Sequence, residues 1–536
     1  MSLRIPSFLL LISSVLSAQG LIEPFIVPNG VENAASYTGP GFPNSGIAQG
    51  SLFLIFGQQL GPGTLVQATT FPLPTSAGLA GTSVQISSGS YIKPAIMVYT
   101  SDGQVAAILP SDAPLGDATL TLSYKGLTSN AVTIHIVRSS FGVFTLNQAG
   151  LGPAIVQNAT GANTPPTNSL IASAHPGQTE ILWGTGLGPV AGDEAAGPLP
   201  GNLNYVSSVY VGGQQATVTY SGRSGCCAGV DQINFIIPQG VSGCYVPVAV
   251  QTTNGTVSNF GTIAVSASGN ECDDPLTFRA AQLSAAEQAG RLHSAQVSLI
   301  HSSPAGGSGT NNLTASFLSY PMATLVQSLV PLTPSLGSCY MTELNLRADL
   351  GALPHGTPLN AGGVMMESGP SGSLNAQAQS LGSFSATVTP ADLPAGAYSI
   401  FGGGGGDVGP YRANFNVTSP LQWTNSSAYN GASLLIGSQP LTFTWSADPN
   451  GYVTISIAAN NPNIETSVVC NAPASAGSFT VPDFIARSII AAPATFTVNV
   501  VDAPIPFTAT GLDLGTVTVG TTASVNGSFR AGLSTP

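Results

Sequence analysis

The sequence predicts an all-β chain of tandem antiparallel β-sandwiches. Three observations predict it: apolar residues in short alternating runs, glycine and proline where other chains carry charge, and an internal repeat as long as a domain. Apolar residues make up 43% of the chain, and 64 glycines and 41 prolines divide them into short stretches. A disordered chain lacks that apolar content and a membrane chain gathers it into long spans, so the pattern fits strands joined by turns. A length of 536 residues suits roughly three to five domains, each with its own core.

Charge narrows the partners. Lys and Arg total 11 against 23 acidic residues, a formal charge of -12, which disfavours nucleic acid and acidic membrane surfaces. Residues 1–18 read as an export signal: Arg4 precedes the apolar Phe8-Leu9-Leu10-Leu11-Ile12, and Ser17-Ala18 offers small residues for cleavage before Gln19. The alternative is a short membrane anchor, but the run falls short of the ~20 residues that span a bilayer. The mature chain is therefore expected outside the cell, secreted or at the cell surface, with no transmembrane segment.

The repeat runs through residues 29–140 and 169–272, with 141–168 as a connector. Gln49-Gly50 leads into Leu52-Phe53-Leu54-Ile55-Phe56 and Gly57-Gln58-Gln59-Leu60-Gly61-Pro62. Later, Pro176-Gly177 leads into Thr179-Glu180-Ile181-Leu182-Trp183 and Gly184-Thr185-Gly186-Leu187-Gly188-Pro189 at one constant offset. Downstream, Leu73-Pro74 answers Leu199-Pro200, Gln104 answers Gln232, Pro110 answers Pro238, and Ser129-Asn130 answers Ser258-Asn259. A repeat of this length is a whole domain, not a solenoid unit. Within it, Asp231-Gln232-Ile233-Asn234-Phe235 alternates polar and apolar with the period of a half-buried strand.

The Pro-Gly entry, the Gly-Thr-Gly-Leu-Gly-Pro turn, the Asp-Gln-Ile-Asn-Phe strand and the exit Val257-Ser258-Asn259-Phe260 resemble an acidobacterial secreted domain family akin to IPT/TIG immunoglobulin-like modules. The connector, Phe144-Thr145 through Gly152-Pro153-Ala154 to Gln157-Asn158, resembles the way that family joins two copies. The resemblance covers about residues 29–275 and implies tandem immunoglobulin-like sandwiches in an exported protein, with no catalytic residues to carry over. The first copy departs from the pattern: it has Ala106 where the second has Asn234, and no cysteine.

Beyond residue 273 the repeat fades. Residues 275–419 are expected as a β-rich third domain, with strands at Gln296–His301, Leu313–Leu318, Glu343–Leu350, Ser383–Val388 and Ala397–Phe401. Ala280–Ala289 reads as a short helix or an irregular approach to the next strand. Gly402–Gly406 before Asp407 lacks the helix, Lys and Ser/Thr of a phosphate-binding loop, so a flexible hairpin tip is expected. Residues 420–520 read as a fourth, sandwich-like domain with strands at Leu441–Trp445, Val453–Ile457 and Thr495–Val500. Residues 521–536, rich in Ser, Thr and Gly, are expected to be a loose tail.

Six cysteines in an exported chain point to disulfides. Following the strands, Cys244 and Cys272 lie toward one end of the second module and Cys226-Cys227 toward the other, several residues away at ~3.3 Å each. Because a bridge needs α-carbons within about 7 Å, Cys244 pairs with Cys272 and Cys226 with its neighbour Cys227. The second pairing stays open: one of the two reaching Cys244 by an irregular path, or both remaining thiols, would also fit. Cys339 and Cys470 pair by elimination, joining the third and fourth modules.

Catalytic patterns are scarce. The histidines, His135, His175, His293, His301 and His355, have no metal-binding spacing, and His135 sits in an alternating strand. Ser90-Tyr91-Ile92-Lys93 satisfies Ser-x-x-Lys but lies in strand-rich sequence without the partner motifs. Asp193-Glu194 and Asp273-Asp274 could ligate calcium, or be solvated turn residues. Glu343, Arg347, Asp349 and His355 form the clearest titratable grouping in the second half. No cofactor is implied. Two readings remain: a non-enzymatic extracellular structural, adhesion or binding protein meeting surface glycans or proteins, or a secreted hydrolase or carbohydrate-active protein with its site in residues 275–536.

Overall fold

The computed structural model describes residues 23–304, 309–326, 333–346, 356–370, 372–388, 394–417 and 422–531; the expected export signal lies outside them. The first unit is an immunoglobulin-like sandwich. One sheet runs Phe25–Asn33, Leu52–Gln58, Gln104–Ile108, Ile96–Thr100, Val66–Gln67; the other runs Ile47–Ala48, Val132–Val137, Gly116–Tyr124, Thr82–Ser88, Tyr91–Pro94. Alternation fills the space between them. Phe53, Ile55, Val105 and Ala107 from one sheet meet Val84, Ile86, Leu120, Leu122, Ile134 and Ile136 from the other, all buried.

The second unit repeats this plan residue for residue at its centre. Leu52 pairs with Ile108 and Phe56 with Gln104; at the repeat offset, Thr179 pairs with Ile236 and Trp183 with Gln232. Where the first unit crosses between sheets through Ala95, the second uses one long strand, Gln214–Arg223. Its start pairs with Val206–Val211 and its remainder with Asp231–Ile236. The connector is part of this sandwich: Gly142–Val143 and Val156–Asn158 pair with Thr179–Thr185, and Gly152–Pro153 pairs in parallel with Gly261–Val265. It leaves no free linker between the two copies.

The second half is two units sharing one sheet. Leu514–Arg530 pairs in parallel with Arg291–Pro304 and antiparallel with Pro493–Val501. From it one arm runs through Thr310–Pro321, Ser383–Val388, Gly372–Ser380, Val364–Gly369, Gly396–Gly402 and Tyr411–Val417. That arm curls round a core of Val297, Phe317, Met365, Phe384, Ile400, Tyr411 and Val517. The other arm, Pro493–Val501, Tyr452–Asn460, Ile464–Pro473 and Cys339–Asn345, packs over Phe443, Trp445 and Trp423 of a small sheet, Gln422–Trp423, Thr442–Ser446, Ser478–Thr480.

Three expectations are corrected here. The segment 521–530 is not loose: its residues form the distal half of a strand with partners on both sides, with β-branched and aromatic residues, Thr522, Val525 and Phe529, that suit a pleated surface. Residues 339–345 lie in the sheet of the fourth unit, paired from Cys339↔Cys470 to Asn345↔Ile464. The glycine run does connect a hairpin, Gly396–Gly402 to Tyr411–Val417, but it is tied down: Asp407 N–H donates to Asn360 O at 3.0 Å, and Asp407 Oδ2 accepts from Asn360 N–H at 2.7 Å. Ala280–Ala289 is a helix, burying Leu283 and Ala286 against Leu292, Tyr320 and the Cys244–Cys272 region.

Units are joined by buried polar contacts as well as apolar ones. Tyr340 Oη, inside the second half, donates to Phe260 O at 2.8 Å and accepts from Gly152 N–H at 2.7 Å, both in the second sandwich. Nearby, Tyr210 stacks on Phe484 with ring centroids 3.9 Å apart. Tyr340→Phe leaves a buried carbonyl and a buried N–H unsatisfied, so we expect it to cost about 1–3 kcal/mol of unfolding free energy. Denaturant titration would check this, and an unchanged midpoint would count against the contact.

Candidate binding face

The strand Tyr411–Val417 reads Tyr-Arg-Ala-Asn-Phe-Asn-Val, strictly alternating, so Tyr411, Ala413, Phe415 and Val417 turn inward while Arg412, Asn414 and Asn416 turn outward and are exposed. Its neighbours present matching positions. Phe401 faces Arg412, Ser399 faces Asn414 and Ala397 faces Asn416 across one ladder; Met366 faces Phe401 and Ser368 faces Ser399 across the next. Asn375 and Ser373 extend those rows on Gly372–Ser380. The outer face therefore grades from a thioether, an aromatic ring and a guanidinium at one end to hydroxyls and amides at the other.

Ser368, Ser399, Arg412, Asn414 and Asn416 of this face line a groove of about 520 Å³. Arg412 is held in place: its guanidinium lies 5.9 Å from the Phe401 ring centroid and Nε donates to Asn414 Oδ1 at 3.1 Å. Among the described residues no carboxylate, imidazole or thiol lines the groove. Glu367, one residue from Ser368, points the other way, into the core; burial pushes its carboxyl up to about 7, and Oε1 has no hydrogen-bond partner. Sequence reasoning missed this strand, although its perfect alternation was the available signal.

The residues singled out from sequence fall elsewhere. Cys226–Cys227, Cys244–Cys272 and Cys339–Cys470 are disulfide-bonded, with α-carbons 3.8, 5.2 and 4.0 Å apart. The Cys226–Cys227 bridge sits on an exposed loop, whereas the other two are buried. Glu343 is half-buried at a joint with the first unit: Oε2 accepts from Asn44 Nδ2 at 2.8 Å and Thr38 Oγ1 at 3.4 Å, and desolvation nonetheless raises its carboxyl to about 7. Arg347, Asp349 and His355 lie outside the described residues.

Neither acidic pair is an open cation site. Glu194 is buried beside Arg223, and Asp193 caps Ala195 N–H. Asp274 is buried and accepts from Leu276 and Cys244 N–H, while Asp273 faces Arg279 at 3.6 Å. The solvated-turn alternative also fails for Glu194 and Asp274, since each sits against protein donors. His135 pairs with Asp117 at 2.8 Å on an exposed sheet face, His175 meets Ser266 O, His293 meets Gly511 O and His301 meets Asn311. Lys93 of Ser90-Tyr91-Ile92-Lys93 is exposed and ion-paired with Asp112. Among the described residues no group of three or more His, Cys, Asp and Glu could hold a metal ion, and no helix is long and apolar enough to cross a membrane.

No known protein family matches the sequence, and no curated protein matches it. Solved structures do resemble the chain. A tetra-tandem repeat from the extending region of a large adhesion protein is 13% identical, covering 93% of this chain and 98% of that one, with a TM-score of 0.14. Bacteroides ovatus SGBP-B, of a mixed-linkage glucan utilization locus and in complex with a mixed-linkage heptasaccharide, is 11% identical over 86% and 97%, with a TM-score of 0.15. Sidekick-1 immunoglobulin domains 1–4 are 10% identical over 93% and 100%, with a TM-score of 0.12. Likeness at this level has no bearing on function.

Proposed function

We propose that this chain is an exported, non-catalytic β-sandwich protein that works outside the cell as a binding or adhesion module, with the Arg412–Asn414–Asn416 face as its contact surface. The observation that carries the reading is that groove: exposed, polar, built on paired strands and, among the described residues, free of the paired carboxylates that sugar or peptide hydrolysis needs. Supporting it, the strands of the face belong to the sheet shared by the two back-half units, and contacts of Tyr340 and Glu343 join that half to the two front units. Disulfides fit an extracellular setting.

The test pairs two measurements on the purified chain: binding to an array of surface glycans and proteins, and turnover of polysaccharides and peptides. Binding without turnover, weakened by the double change Asn414→Ala and Asn416→Ala, is the expected result. Turnover lost on changing Glu343 or Glu367 would replace this reading with that of a hydrolase.

A further inference from the structure

We infer that the ligand of this face is an uncharged, hydroxyl-rich polysaccharide lying across the Gly372–Ser380, Val364–Gly369, Gly396–Gly402 and Tyr411–Val417 strands. The inference rests on the binding reading above and adds the chemical class. Two rows cross the four strands: Asn375, Met366, Phe401, Arg412 and, beside it, Ser373, Ser368, Ser399, Asn414. Neighbouring strands are ~4.8 Å apart and same-face residues along a strand about 6.8 Å apart. The face is thus a regular lattice of donors and acceptors with two apolar side chains, Met366 and Phe401, side by side in one row, and a chain of sugar rings offers hydroxyls and C–H faces in return. Ring C–H faces suit Met366 and Phe401, while hydroxyls suit the serines and amides, each able to donate and accept.

Other partners fit less well. Among the described residues Arg412 is the single charged residue lining the groove, its guanidinium already lying over Phe401, and the chain carries -12 overall, so a polyanion would meet net repulsion. A protein interface would need a dehydrated apolar or aromatic centre. Here the middle of the lattice is serine and asparagine, and among the described residues Val364, 43% exposed, is the most exposed large apolar side chain on it.

The experiment measures binding of the full chain to soluble neutral polysaccharides (β-glucan, mannan, xylan) and to anionic ones (polygalacturonate, heparin). Expected are binding to a neutral polymer, little change between about 0.05 and 0.5 M salt, and about fivefold weaker binding for Asn414→Ala and again for Asn416→Ala. Thermal melts of each variant would establish that it is folded. Binding confined to the anionic polymers, steeply salt-dependent and lost in Arg412→Gln, would overturn the neutral-ligand inference and leave the face as a binding site. Neutral-polymer binding that ignores Asn414 and Asn416 would overturn the site itself, and no binding to any polysaccharide would overturn the ligand class.

Discussion

Arg223→Met is expected to lower the unfolding free energy by about 3–5 kcal/mol, because it strands buried charge at the joint of the first two units. Arg223 is fully buried. Its Nη1 contacts Asp231 Oδ1 at 2.5 Å, its Nε lies 3.2 Å from Glu194 Oε1, and its Nη2 donates to Gly50 O at 2.9 Å and Gly188 O at 3.1 Å. Glu194 Oε2 in turn accepts from Ser111 Oγ, which accepts from Val190 N–H. One guanidinium therefore links both sandwiches. Gly50 has a φ of +71°, and a Cβ there would lie 2.6 Å from Arg223 Nη2, so the first repeat needs glycine where the second sends its arginine.

Burial raises the carboxyls of Glu194 and Asp231 even against the attraction of Arg223, Asp231 to about 6. Without the arginine both would be driven toward the neutral form, and Glu194→Gln with Asp231→Asn should recover part of the loss. Denaturant unfolding of the full chain at neutral pH is the measurement. A change no larger than that from an exposed arginine such as Arg291 would remove the triad from any account of stability.

The second large effect concerns Glu180. At the repeat offset it occupies the place of Phe53, a core residue of the first unit, and it is itself fully buried, with neither carboxylate oxygen hydrogen-bonded. Desolvation raises its carboxyl from the ordinary 4.5 to about 9. Between these values the unfolded chain is ionised while the native chain holds the proton, so the native state binds more protons and loses stability as pH rises, by about 1.4 kcal/mol per unit. At pH 7 that amounts to about 3 kcal/mol. Glu180→Gln keeps the shape and cannot ionise. It is expected to be more stable than the parent by about this amount at pH 7 and by more at pH 8, and to match it near pH 4. Parallel pH–stability curves for parent and variant would be falsifying.

Much of the front half was legible because two copies of one pattern cross-check each other. Leu52–Phe56 and Thr179–Trp183 hold equivalent register positions, and the period of two decided which side chains turn inward. The Glu180 substitution was visible in the same alignment, but its consequence was not: an unpartnered carboxyl differs from a paired one only through its surroundings. The back half lacked a second copy. Nothing local in Leu514–Arg530 says that it pairs with Arg291–Pro304, and serine, threonine and glycine in that stretch imitate a loop. The binding face was missed for a related reason: Tyr411–Val417 is a strand on its own pattern, but its partners, which make a face of it, are set by tertiary fold.

The shared strand Leu514–Arg530 also orders events during synthesis. Ser294 pairs with Leu514, so an early strand of the third unit waits on the ribosome for a partner about two hundred residues downstream, ten seconds or more at roughly 5–20 residues per second. Through that interval one edge of Arg291–Pro304 stands open to any passing strand. Neither back-half sandwich can close until both have been translated, whereas the two front copies, whose partners are near neighbours in the chain, are free to finish long before.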